Sequence, residues 1–218
     1  MKQVCVIGLG QFGTYLARDL VRLGCEVLAI DAREDRVQNI RDEVHRAVIG
    51  DVRKPEMLAG VLTAPVSEAT MSLGDRSTEP SILCALHLKH LGVERIRSTA
   101  ANDDHAEILR AVGVTEIIYP ERETAERVAR RIANPNFVDM FPLAEDYRIM
   151  EVLAPQVLHG RSLAESGVRS NYNLLVLALR AEGDEHYRFL PTADTVIRAR
   201  EVMMVMGREL DLARFLAA

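Results

Sequence analysis

The sequence predicts an α/β protein, a doubly wound parallel sheet followed by a smaller α+β unit. Three observations carry this. An apolar run, Val4 to Ile7, enters the glycine-rich turn Gly8-Leu9-Gly10-Gln11-Phe12-Gly13 and then a helical pattern. Short β-like and longer α-like segments alternate over the first 120 residues, as a parallel sheet with crossover helices requires. From about residue 145 the alternation gives way to closely spaced strand-like runs and hairpin turns.

In chain order, strands are expected near 3–7, 26–30, 45–49, 68–73, 94–98 and 116–119. The first helix places Tyr15, Leu16, Leu20 and Leu23 on its apolar face. Asp31 is a candidate cap for the helix carrying Val37 and Ile40, Pro55 sits where a helix begins, and Asp103 or Asp104 is a candidate cap for the helix of Ile108 and Leu109. The fourth strand, Glu-Ala-Thr-Met-Ser-Leu, is a poor match to a buried central strand and rests on topology alone. Residues 120–132 read as a helix with acids in its first turn and arginines in its last, as the helix dipole favours. Asn134, Pro135 and Asn136 end it. The apolar segment Phe137, Val138, Met140, Phe141, Pro142 is read as part of a linker that packs against something. Beyond it are expected an alternating run at 147–153, a short helix at 162–166, strands near 174–180, 186–189 and 201–206, and a closing helix at 208–216. The domain expectation is therefore 1–133, a docking linker at 134–144, and 145–218.

The chemistry sits in the glycine turn. Gly8 allows a tight turn, Gly10 a close approach of backbone to phosphate, and Gly13 close helix–strand packing, so that helix amides face an anion. A lone glycine pattern is weak evidence, but here a strand precedes it, a helix follows, and a second strand ends at Asp31, 18 residues past Gly13. A carboxylate there accepts hydrogen bonds from a ribose diol and repels a 2′-phosphate. The fingerprint selects an adenosine diphosphate moiety, which ATP, ADP and NAD all present.

Bulk properties exclude little. The 218 residues carry a formal net charge of −5, with 48% hydrophobic and 27% charged residues, and an isoelectric point near 5.7. That balance argues against nucleic acid as a partner, because phosphate-backbone binding needs a clustered positive surface. No apolar run approaches a membrane-spanning length and Met1-Lys2 leads straight into the first strand, so a cytoplasmic protein is expected. Cys5, Cys25 and Cys84 lie in apolar sequence without metal-ligand spacing and read as buried thiols.

With these parts in this order, the chain resembles the RCK, or KTN, regulatory subunits of bacterial Ktr and Trk potassium transporters. Besides Gly-Leu-Gly-Gln-Phe-Gly, the stretches Glu26 to Asp31, Ala47 to Asp51, Ile117 to Glu121 and Met203 to Gly207 carry the resemblance. It implies a Rossmann-like TrkA-N domain, a TrkA-C domain from about residue 145, and a cytoplasmic homodimer assembling into an octameric ring under a membrane-embedded potassium transporter. It further implies an adenine nucleotide (ADP or ATP, or NAD or NADH) held by Gly8, Gly10, Gln11, Phe12 and Gly13, with Asp31, Ala32 and Arg33 at the ribose. Asp51 and Val52 would lie against the adenosine, with Gly74, Asp75 and Thr99 in the loops beyond. Two positions depart from the ATP-gated pattern: Gln11 stands where arginine is frequent and Thr99 where lysine is frequent. Each lost cation removes charge-assisted bonds worth about 1.5–3 kcal/mol, which weakens any preference for ATP. Arg33 and Arg97 are the candidates to replace them. Glu121 corresponds to a glutamate that holds a divalent cation, Mg²⁺ or Ca²⁺, across the dimer in some relatives; its own chemistry, an acid in a helix's first turn, stabilises that helix without metal. Arg169, Asn173 and Pro191 fall where some relatives bind cyclic di-AMP.

No enzyme is expected. An NAD-dependent oxidoreductase, the alternative, needs an acid or base within reach of the nicotinamide. The six histidines are scattered, and no Ser-His-Asp order, carboxylate pair or metal motif stands out. A regulator of a different cation transporter is the other alternative.

Overall fold

The computed structural model describes residues 2–62, 66–74 and 78–217. The chain divides into two compact units, Met1–Arg122 and Glu123–Ala218.

In the first unit, β1 (Gln3–Ile7), β2 (Glu26–Asp31), β3 (Arg46–Ile49), β4 (Glu68–Met71), β5 (Arg95–Thr99) and β6 (Glu116–Ile118) form one parallel sheet in the order β3-β2-β1-β4-β5-β6. Helices α1 (Gln11–Arg22), α2 (Glu34–Ile40), α3 (Pro55–Val61), α4 (Thr78–His90) and α5 (Asp103–Ala111) make the connections. Alternation along β1 supplies both cores. Cys5 and Ile7 join Met71, Leu88, Ile96 and Leu109 on one face, while Val6 joins Ala17, Val27, Val37 and Ile40 on the other.

Strand β4 is short but central, its four residues buried between β1 and β5. Its polar first residue is accommodated because Glu68, 6% exposed, receives Lys2 Nζ at 2.8 Å, Arg97 at 2.8 Å and Arg95 at 3.2 Å. The Lys2 and Arg97 bonds hold its carboxyl at about 2, below the ordinary 4.5. The strand stops at Met71 rather than 73, where the Ser72 N–H turns back to the Ile7 carbonyl.

Three local expectations are corrected. In α1 the buried positions are Gly13 and Ala17, with Leu16, Leu20 and Val21 packed against them, while Tyr15 and Leu23 are exposed. Arg33, not Asp31, is the N-cap residue of α2, because Asp31 still belongs to β2. The cap of α5 is Asn102, whose Oδ1 accepts the His105 N–H at 2.8 Å; Asp103 and Asp104 occupy the first turn. Of the thiols, Cys5 and Cys84 are buried and Cys25 half-buried; burial pushes Cys5 up to about 12.

Helix α6 (Pro120–Ala133) carries the chain across the division and buries none of its residues. The second unit is an antiparallel sheet of β7 (Phe137–Ala144), β8 (Tyr147–Leu153), β9 (Leu175–Arg180), β10 (Arg188–Phe189) and β11 (Val202–Arg208), ordered β10-β9-β11-β8-β7. A 3₁₀ turn at Gln156–Leu158 and the helices α7 (Leu163–Ser166), α8 (Val168–Tyr172) and α9 (Glu209–Leu216) complete it. Its core gathers Phe137, Met150, Val152, Met203, Val205, Leu212 and Phe215. The segment expected as linker is strand β7. Its apolar residues are strand residues, Phe137 buried and Phe141 and Leu143 exposed, and its backbone pairs with β8. Helix α7 carries a complete capping box, Ser162 and Glu165 each accepting from the other's backbone N–H.

Candidate nucleotide cleft

The order of the first sheet reverses between β1 and β4, and ligands of such sheets bind at the carboxyl ends of the strands beside that reversal. A cleft of about 280 Å³ opens there, walled by Ile7 and Gly8 at the end of β1, Ile30 to Arg33 and Arg36 at and beyond the end of β2, Gly50 to Arg53 after β3, and Leu73 and Pro80 beyond β4.

The glycine turn is built as its spacing predicts. Gly8 has φ +89°, and a Cβ there would collide with the Ser72 carbonyl; one at Gly13 would collide with the Gly8 carbonyl. At Gly10 the space a Cβ would take is open. Gly10 is also the N-cap residue of α1, with no side chain capping the helix and no acid in its first turn. The first amides of α1 are thus left for another acceptor.

Asp31 faces this turn from the tip of β2. It is 7% exposed. Its Oδ2 accepts the Leu9 N–H at 2.6 Å and Arg36 Nη1 at 3.2 Å, and its Oδ1 accepts the Arg33 N–H at 2.8 Å. A carboxyl group so held by two backbone N–H groups and a guanidinium is oriented, with its oxygens placed as acceptors, the chemistry that a vicinal diol needs. At the tip of β3, Asp51 is gripped by Arg53 through Nε at 2.9 Å and Nη2 at 2.6 Å. That guanidinium holds the Asp51 carboxyl down at about 2.

Gly8, Asp31, Ala32, Arg33, Asp51 and Val52 therefore line one cleft, with Gly10 to Gly13 turning beside it. Gly74 and Thr99 are not among its walls: Gly74 is exposed with φ +87°, and Thr99 ends β5 paired with Ile118. Asp75 lies outside the described residues. Arg97 does not replace the missing cations. It is committed to Glu68 and, through Nε at 2.6 Å, to Glu116. The cleft instead holds Arg36 and Arg53, which sequence reasoning missed. The signal was an arginine two to five residues after a strand-tip aspartate, Asp31 to Arg36 and Asp51 to Arg53. Arg33 is paired with Asp35, at 2.6 Å, so among the described residues all three guanidiniums that line the cleft already hold a carboxylate.

Glu121 is exposed in the first turn of α6, and among the described residues no three His, Cys, Asp or Glu side chains converge on a metal position. In the second unit a cleft of about 430 Å³ is lined by Arg169 and Pro191 together with Leu163, Val168, Leu174 and Val176. Asn173 is not part of that wall. It ends α8 in the left-handed region, φ 56°, with its amide 3.5 Å from Asp211.

Residues 4–120 match the TrkA-N domain family. The chain is 33% identical over 214 residues to the Ktr system potassium uptake protein C of Bacillus subtilis (strain 168), spanning 98% of this chain and 96% of that protein. It is 28% identical over 212 residues to the Ktr system potassium uptake protein A of Vibrio alginolyticus, spanning 97% and 95%. Among solved structures, the RCK domain of GsuK superposes with a TM-score of 0.68 at 18% identity, covering 97% of this chain and 46% of that one, a likeness of fold. With a family match over more than half its length and a relative alike from end to end, this chain belongs to the TrkA-N domain family and is homologous to the Ktr potassium uptake proteins.

Proposed function

We propose that this chain is a nucleotide-sensing regulatory subunit of a membrane potassium transporter. One observation carries the reading: an uncapped α1 N-terminus and an oriented, buried Asp31 carboxylate share a cleft, in a chain homologous to Ktr uptake proteins over 98% of its length. The chain is not an enzyme; its named relatives are potassium uptake proteins and channel domains. The ligand is an adenine nucleotide. A GsuK channel bound to NAD shares the fold, with a TM-score of 0.68, which keeps NAD and NADH beside ADP and ATP. With Gln11 and Thr99 offering no cation, the phosphates would rely on α1 amides and on Arg36 or Arg53 leaving its carboxylate partner.

A ligand gates a partner only through unequal affinity for two arrangements, a coupling of about 1–3 kcal/mol. In this reading the protein is cytoplasmic, a homodimer assembling into an octameric ring beneath the membrane-embedded transporter subunit. The second unit acts as the TrkA-C domain, with cyclic di-AMP taken by the cleft of Arg169 and Pro191. Between two copies, paired Glu121 carboxylates would hold Mg²⁺ or Ca²⁺. Among the described residues no helix is long and apolar enough to cross a membrane, and in this reading the pore belongs to the partner. The test is potassium flux in liposomes holding the reconstituted complex, together with calorimetric titration of the stripped protein. Binding of an adenine nucleotide and a change in flux on exchanging ADP for ATP or NADH are expected. Absence of heat with all of them, or flux indifferent to those that bind, overturns the reading.

A further inference from the structure

Beside the cleft, at the junction of α4 and α5, two polar side chains are shut away from water: Ser81, 3% exposed, and His105, 5% exposed. Burial of this kind is costly unless each polar atom is bonded, and here each is. The Ala101 N–H donates to His105 Nδ1 at 3.2 Å, so Nδ1 is the bare nitrogen. Nε2 therefore carries the proton and donates it to Ser81 Oγ at 2.7 Å. The single hydroxyl proton of Ser81 is thereby free to go to the Thr78 carbonyl, also at 2.7 Å. The chain of donors runs in one direction from the loop after β5, through the ring, into the first turn of α4. Desolvation lowers the affinity of the ring for a second proton, which keeps this tautomer neutral.

The two ends of this relay matter. Pro80, between Thr78 and Ser81 on the first turn of α4, is a wall of the nucleotide cleft. Ala101 and Asn102 precede α5, and Asn102 caps it on the backbone of His105 itself. An apolar pair at 81 and 105 would pack α4 on α5 equally well, but without fixing one helix's first turn against the other's. We infer that His105 is a positioning residue of the cleft: as an Nε2–H tautomer bonded to Ser81 it fastens the Pro80 wall to the start of α5, so that cleft occupancy and the setting of α5 change together. This rests on the nucleotide reading above.

Full-length protein labelled with ¹⁵N-histidine tests it without substitution. The His105 ring is expected to show a protonated Nε2 and a bare Nδ1, and its resonances to move when ADP saturates the cleft. Calorimetry with ADP on Ser81→Ala and His105→Gln should show binding about fivefold weaker or more, with the double variant no worse than the poorer single, since one relay is lost either way. Ser81→Thr, which keeps the hydroxyl, should restore binding. If ADP binds the wild type while the His105 resonances stay still, or if Ser81→Ala binds ADP as the wild type does, the relay is wrong and the nucleotide reading stands. If the wild type binds no adenine nucleotide at all, both fall. Should the variants fail to fold, the ring spectrum of the wild type alone decides.

Discussion

Asp31 holds the glycine turn as well as facing the cleft. Its bond to the Leu9 amide ties the tip of β2 to the loop after β1, so the carboxylate is already placed when a diol arrives. Asp31→Ala should therefore weaken ADP binding at least about tenfold, the worth of one or more charge-assisted bonds, measured by calorimetry on variants whose fold is checked by circular dichroism. Gln11→Arg should act in the opposite sense. A cation at the start of α1 adds a partner for a terminal phosphate, and ATP should gain about tenfold over ADP. Unchanged ratios would show that position 11 does not face the phosphates. Glu68 belongs to the fold rather than the cleft. Its carboxyl lies at about 2 in the folded protein against an ordinary 4.5. A depressed folded value means that this stability is present above about 4.5 and is lost as the pH falls toward 2. Glu68→Gln should flatten that part of the acid-unfolding curve and, by leaving Lys2 and Arg95 without their carboxylate and Arg97 with Glu116 alone, cost about 2 kcal/mol at neutral pH.

At the scale of the element, α1 is the part on which most depends. It must run close over the Gly8 carbonyl, and only a residue without Cβ fits at position 13. Gly13→Ala gains helix propensity of about 1 kcal/mol but loses more to the collision. A net destabilisation with loss of ADP binding is expected in urea unfolding and calorimetry; a more stable variant would mean that the helix can shift without harm. Helix α7 is the opposite case, held by its own ends. Removing the capping hydroxyl with Ser162→Ala should cost about 1 kcal/mol and leave ADP binding untouched, since the box serves the second unit.

For the whole molecule, two units with separate cores predict two responses to one ligand. ADP at a hundred times its dissociation constant should stabilise the first unit by about 2.7 kcal/mol. In differential scanning calorimetry only the transition of that unit should then rise. An equal shift of both would show that the units unfold together.

How much of this was legible beforehand follows from the range of the forces involved. The glycine turn, the strand it leaves, the aspartate at the next strand tip and the order of alternating elements are local patterns, decided by backbone sterics and hydrophobic periodicity. The sequence by itself therefore determined the parallel α/β unit, the place of its cleft and the hairpin character of the second unit. Strand β4 was nearly illegible, because its place between β1 and β5 depends on Lys2, Arg95 and Arg97 coming from elsewhere to meet Glu68. Strand β7 looked like a linker because its partner, β8, is what makes it a strand. Only the tertiary structure decided which arginines line the cleft, that Arg97 is spent on Glu68, and that a serine and a histidine 24 residues apart share a hydrogen bond. Those are contacts between residues distant along the chain, and close packing sets them rather than any local propensity.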